Sequence, residues 1–87
     1  MHELSIASSL LDAVQKEMMH RPSARLARIG LRIGEFSGVE ESSLRFCFEA
    51  LVKDTDMRSA TLVVERGTRD ELDLTWLEVE EDEPDSH

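Results

Sequence analysis

The opening tripeptide, Met1-His2-Glu3, is the part of this sequence best equipped to do chemistry. A free α-amine beside an imidazole supplies two nitrogen donors, and loss of the His2 amide proton to a metal adds a third. The Met1 amine, the His2 amide and His2 Nδ1 then close two fused chelate rings in one plane. Planar nitrogen donors suit Ni(II) or Cu(II) and disfavour tetrahedral Zn(II). One in-plane position is left for an exchangeable ligand, which suits a protein that must give up its metal. The chelate requires Met1 to be the unblocked terminus. The bulk of His2 predicts that Met1 is retained, because enzymes that trim initiator methionine favour a small second residue. Protons compete with the metal for amine and imidazole, so capture is expected to weaken below neutral pH. The plain alternative is an exposed terminal histidine with no role.

Elsewhere the reactive residue types are scattered. Cys47 is the single cysteine, which excludes an intrachain disulfide and a cysteine-based zinc knuckle. No structural zinc is expected, and Cys47 itself lies on an apolar helix stripe where a thiol acts as a small hydrophobe. His20 falls near a helix end and His87 closes an acidic run, neither at ligand spacing. Met18 and Met19 read as packing. Arg28 and Arg32 share the polar face of a strand and read either as a docking patch for an acidic surface or as a solvated face. Gly34-Glu35-Phe36-Ser37-Gly38 lacks the lysine and the spacing of a phosphate loop. With no Ser/His/Asp or Cys/His constellation, the chain does not read as an enzyme.

The elements that must position the chain start follow from periodicity. Leu4, Ala7, Leu11, Val14 and Met18 recur at helical spacing, with Ile6, Leu10 and Ala13 widening the stripe, and predict a helix over 3–20, stopped by Pro22. Ala27, Ile29, Leu31 and Ile33 alternate with Arg28, Gly30 and Arg32, which predicts a strand over 25–33 covered on one side. Gly34, Ser37 and Gly38 mark a turn. Leu44, Cys47, Phe48 and Leu51 then predict a second helix over about 40–53, with Glu40 and Glu41 in its first turn. Thr61–Glu65 reads as a β-branched second strand. Leu72, Leu74 and Trp76 alternate as a third, but Leu77 and Val79 take the opposite phase, which predicts a bulge near Trp76. The short link Arg66–Asp70 predicts that strands two and three form an antiparallel hairpin. The expected fold class is α+β, two helices packed on one face of a small three-stranded sheet.

At 87 residues the chain has room for one small domain, read as 1–80, followed by a disordered acidic tail over 81–87. Ten Lys and Arg stand against 19 Asp and Glu, a net charge of −9, which argues against nucleic acid as a partner. Six of those acids lie between Glu78 and Asp85, so residues 1–77 hold ten cations against thirteen anions, a net of −3. No apolar run approaches the roughly 20 residues that cross a bilayer. A cytoplasmic protein with no membrane partner is expected, and a lone thiol fits a reducing compartment.

Met1-His2-Glu3-Leu4-Ser5-Ile6-Ala7, Leu31-Arg32-Ile33-Gly34-Glu35-Phe36-Ser37-Gly38-Val39 and Leu44-Arg45-Phe46-Cys47-Phe48-Glu49 together resemble the HypA/HybF family of hydrogenase nickel incorporation proteins. The resemblance covers Met1 to Val64 and resumes from Glu71 to Glu80. It implies a nickel metallochaperone that loads the large subunit of NiFe-hydrogenase together with the GTPase HypB. It also implies that Met1, His2 and the adjoining backbone at Glu3 hold the metal. Family members carry a zinc domain with two CxxC pairs between the second and third strands. Here Glu65-Arg66-Gly67-Thr68-Arg69-Asp70 stands in that place, as a natural short form or an engineered joint. Two alternatives accompany this reading: a metal-free docking or assembly module, motivated by the arginine-bearing strand and the acidic tail, and, in place of a monomer, a dimer formed by strand exchange at a free sheet edge.

Overall fold

A computed structural model of the chain describes residues 2–81. Five elements follow one another: α1 (Glu3–Met18), β1 (Ala24–Gly34), α2 (Glu41–Val52), β2 (Thr61–Gly67) and β3 (Leu72–Glu81). The α+β class is as expected, and β3 takes in Glu81, the first residue assigned to the tail. The rest of that acidic segment lies outside the described residues.

Both helices form where apolar residues recur every three to four positions. The buried stripe of α1 is Ala7, Leu10 and Val14, flanked by the half-buried Ile6, Leu11 and Met18, while Leu4 is 58% exposed. The buried residues all belong to the expected stripe, of which Leu4 alone among the larger side chains is exposed. On α2, Leu44, Phe48 and Val52 are buried, with Cys47 and Leu51 packed beside them. Phe48, Ile29, Ile33 and Leu44 are the largest fully enclosed side chains, so the core lies between the two helices and the inner face of β1.

The sheet order is β2-β1-β3, with β1 parallel to β2 and antiparallel to β3. This corrects the expected hairpin: β2 and β3 are not neighbours, because β1 stands between them. Parallel neighbours need a crossover, and α2 supplies it between β1 and β2. The link after β2 then has to pass over the end of β1 to reach its far side. The Glu35 amide donates to the Gly67 carbonyl at 3.0 Å, the Phe36 amide to Arg69 at 2.7 Å and the Gly34 amide to Glu71 at 2.8 Å. A Cβ on Gly34 would stand 2.2 Å from the Arg69 carbonyl oxygen, so the crossing needs glycine beneath it.

Pairing of β1 with β3 shifts twice. Leu26 faces Val79 and Arg28 faces Glu78, leaving Ala27 as an extra residue; Gly30 faces Trp76 and Leu31 faces Leu74, leaving Thr75 extra. The second bulge is the one expected near Trp76. It turns the Trp76 ring to the open face, over Gly30, and returns Leu77 and Val79 to the side of Leu72 and Leu74. The first bulge was not anticipated, and it buries Leu26 where unbroken alternation assigned Ala27.

Candidate metal centre

His2 is the residue before α1 and its carbonyl accepts the first helical hydrogen bond, from the Ile6 amide at 3.1 Å. The amides of residues 3–5 therefore precede the helical ladder, as the first N–H groups of any helix do. Removing a proton from an amide at this position costs no helical hydrogen bond. The positive end of the helix dipole favours the anionic nitrogen that results. The His2 side chain is exposed and makes no capping bond, leaving its imidazole uncommitted. Met1 lies outside the described residues.

The Glu3 carboxylate is occupied. It accepts the Glu40 backbone N–H at 3.0 Å, and this hydrogen bond holds the Glu3 carboxyl below its ordinary value. Glu40 in turn caps α2: its carboxylate accepts the Ser42 hydroxyl at 2.6 Å and the Ser43 amide at 3.1 Å, and these contacts lower its own titration. The starts of α1 and α2 are thus stitched together by two carboxylates in series. Glu40, expected in the first turn of α2, is its cap. No sequence signal joins residue 3 to residue 40, and glutamate is not among the residue types that mark an N-cap, so the capping role of Glu40 was hidden as well. Among the described residues no group of three or more His, Cys, Asp or Glu side chains could hold a metal ion.

The other candidates are not brought to this corner by any contact. His20 is exposed beyond the end of α1, Met18 is half-buried against the core, and Met19 is 77% exposed. Cys47 is half-buried on α2. His87 lies outside the described residues. Arg28 and Arg32 do stand on the open sheet face, but both are consumed there. Arg28 pairs with Glu78 and holds that carboxyl below its ordinary value, and Arg32 pairs with Glu65 at 3.0 Å. Arg25 and Arg21 meet Glu80 and Glu81 in the same way, at 3.6 and 3.0 Å. Of the two readings given to Arg28 and Arg32, the exposed ion pairs favour the solvated face.

Comparison with known proteins points to one group. A family model described as hydrogenase/urease nickel incorporation, metallochaperone, HypA matches residues 1–70. The hydrogenase maturation factor HypA of Chlorobaculum parvum is 45% identical over 65 residues, covering 75% of this chain and 58% of that protein. The factor of the same name from Methanopyrus kandleri is 41% identical over 69 residues, covering 77% and 49%. The solution structure of the Ni metallochaperone HypA from Helicobacter pylori superposes with a TM-score of 0.67 at 25% identity, covering 76% of this chain and 57% of that one. The chain spans about half the length of the relatives it matches, and the family match stops ahead of β3.

Proposed function

Because the chain belongs to the HypA family of hydrogenase/urease nickel-incorporation metallochaperones, we propose that it is a nickel-carrying domain that takes up Ni(II) at its N-terminus and yields it for NiFe-hydrogenase maturation. It acts by binding and release, with no catalytic step. The metal is held by the Met1 amine, the His2 amide and His2 Nδ1, with the Glu3 main chain adjoining. A HypB-type GTPase and the hydrogenase large subunit are its partners.

The observation that carries this reading is the state of the chain start. An uncommitted imidazole stands directly ahead of a helix whose first amides have no ladder partner, and the Glu3 carboxylate anchors that start to α2. The donors are mostly main-chain atoms, so the site needs no cluster of ligating side chains. It also needs nothing from β2 or β3. Of the two features that motivated the docking alternative, the arginines are ion-paired, and the acidic tail beyond Glu81 lies outside the described residues.

Calorimetric titration with nickel tests the assignment. The native protein is expected to bind one equivalent, and His2→Ala and a version with one residue added ahead of Met1 are each expected to lose that binding. Equal affinity in all three would place the metal elsewhere.

A further inference from the structure

The two edges of the sheet are finished differently. Along β2, Arg45 of α2 donates to the Leu62 carbonyl at 2.9 Å, and Glu41 of α2 reaches Arg66 at 3.1 Å, so the helix covers that edge. Along β3, among the described residues, no hydrogen bond other than the ladder to β1 reaches the main chain of 72–81. A ten-residue strand thus leaves its outward N–H and C=O groups open to another chain.

Beside this bare edge α1 leaves a cleft. Two openings of about 410 and 500 Å³ follow one another between α1 and β3 and share Leu74. Ile6, Leu10, Ala13 and Leu72 line the first, and Met18, Leu77 and Val79 line the apolar part of the second. On the opposite face of the same strand, Asp73, Glu78 and Glu80 stand across from Arg32, Arg28 and Arg25. Glu78 and Glu80 are paired with Arg28 and Arg25, but Arg32 is turned to Glu65, and Asp73 has no ion-pair partner among the described residues.

We propose that the β3 edge is a docking site for an extended partner segment that alternates apolar residues with lysine or arginine, added to the sheet as a fourth strand. Its main chain pairs with the open groups of β3. Every second side chain enters the cleft against Leu72, Leu74 and Leu77. The intervening side chains stand on the open face, where one of them lies about 4.5–5.5 Å from Asp73, the acid of that row without an ion-pair partner among the described residues, a spacing at which opposite charges attract. A second copy of β3 fits this edge badly, because residues 72–81 carry no lysine or arginine to meet Asp73. The chain's net charge of −9 also steers a basic segment toward it.

Trp76, the single tryptophan, lies on β3 and reports occupancy. The probe is an end-blocked octapeptide, Val-Lys-Val-Arg-Val-Lys-Val-Arg, titrated into the full chain. Trp76 emission and residue-resolved amide exchange are followed together. Expected are a saturable emission change and slowed exchange at alternate amides within 72–81. Binding falls several-fold in Asp73→Lys, whose exposed site leaves the fold intact by circular dichroism, and roughly tenfold when the peptide's basic residues are replaced by glutamate. The proposal is overturned by equal binding of the glutamate peptide, by protection confined to other elements, by no binding at millimolar peptide, or by self-association that protects the same β3 amides.

Discussion

The corner where the two helices begin and the rim where β2 crosses over to β3 are built by opposite means. At the corner, side chains do the fastening: Glu3 reaches the Glu40 amide, and Glu40 reaches Ser42 and Ser43. At the rim, the absence of side chains does it. Gly34 lets the Arg69 carbonyl lie on the end of β1, and Gly30 lets the Trp76 indole lie across its middle. The corner lies within the stretch matched to the family, whereas the crossing begins near the limit of that match and β3 lies beyond it. The proposed nickel donors depend on a terminus, one imidazole and one anchoring carboxylate, none of which touches the crossing.

The glycine rim can be broken without touching the corner. Gly34→Ala is expected to have the largest effect on stability, about 3 kcal/mol by urea denaturation, because the new methyl meets backbone rather than a yielding side chain. Gly30→Ala comes next, at about 1–2 kcal/mol. Its Cβ would stand 2.1 Å from the Trp76 ring, so the indole must swing outward and its emission shift to the red. Neither change is expected to alter nickel affinity in the fraction that remains folded, and a loss there would show that the two regions are coupled.

Acid offers a milder probe. The Glu71 carboxyl is held below its ordinary value by its own backbone N–H and that of Arg69, and Glu78 by Arg28. A depressed carboxyl contributes stability above its unfolded value, near 4.3, and loses it as pH falls through the folded value. The urea midpoint is therefore expected to decline below about pH 4.5, with a shallower slope in Glu78→Gln. The smallest expected change is at the corner itself. Glu3→Ala removes the anchor but no proposed donor, so it is expected to lower the melting temperature slightly and weaken nickel capture far less than His2→Ala does. If Glu3→Ala abolishes binding as completely, its carboxylate is itself a ligand.

Much of the fold was legible because each element carries its own period. Both helices, all three strands and the change of phase at Trp76 are written in local spacing. The order of the strands was not. A link of a few residues fits a hairpin equally well as a bridge over the end of a third strand, and only the crossover through α2 decides between them. The bulge at Ala27 was hidden because Leu26 and Ala27 are both apolar, so either could continue the inner face. Arg28 and Arg32 looked available for a partner because Glu78 and Glu65 lie 50 and 33 positions away in the chain. The donors proposed at the chain start are a reading of the sequence alone, since adjacency is all that their chelate geometry requires. The bond from Glu3 to Glu40, which spans 37 positions, could not.

The spectrum of the nickel-loaded protein tests the central claim most directly. Capture by amine, amide and imidazole in one plane predicts a yellow, diamagnetic, four-coordinate complex, with nuclear resonances of residues 1–3 shifted but sharp, and its loss in His2→Ala. A green, paramagnetic, six-coordinate ion, or a planar one that leaves the His2 resonances unmoved, would contradict the account.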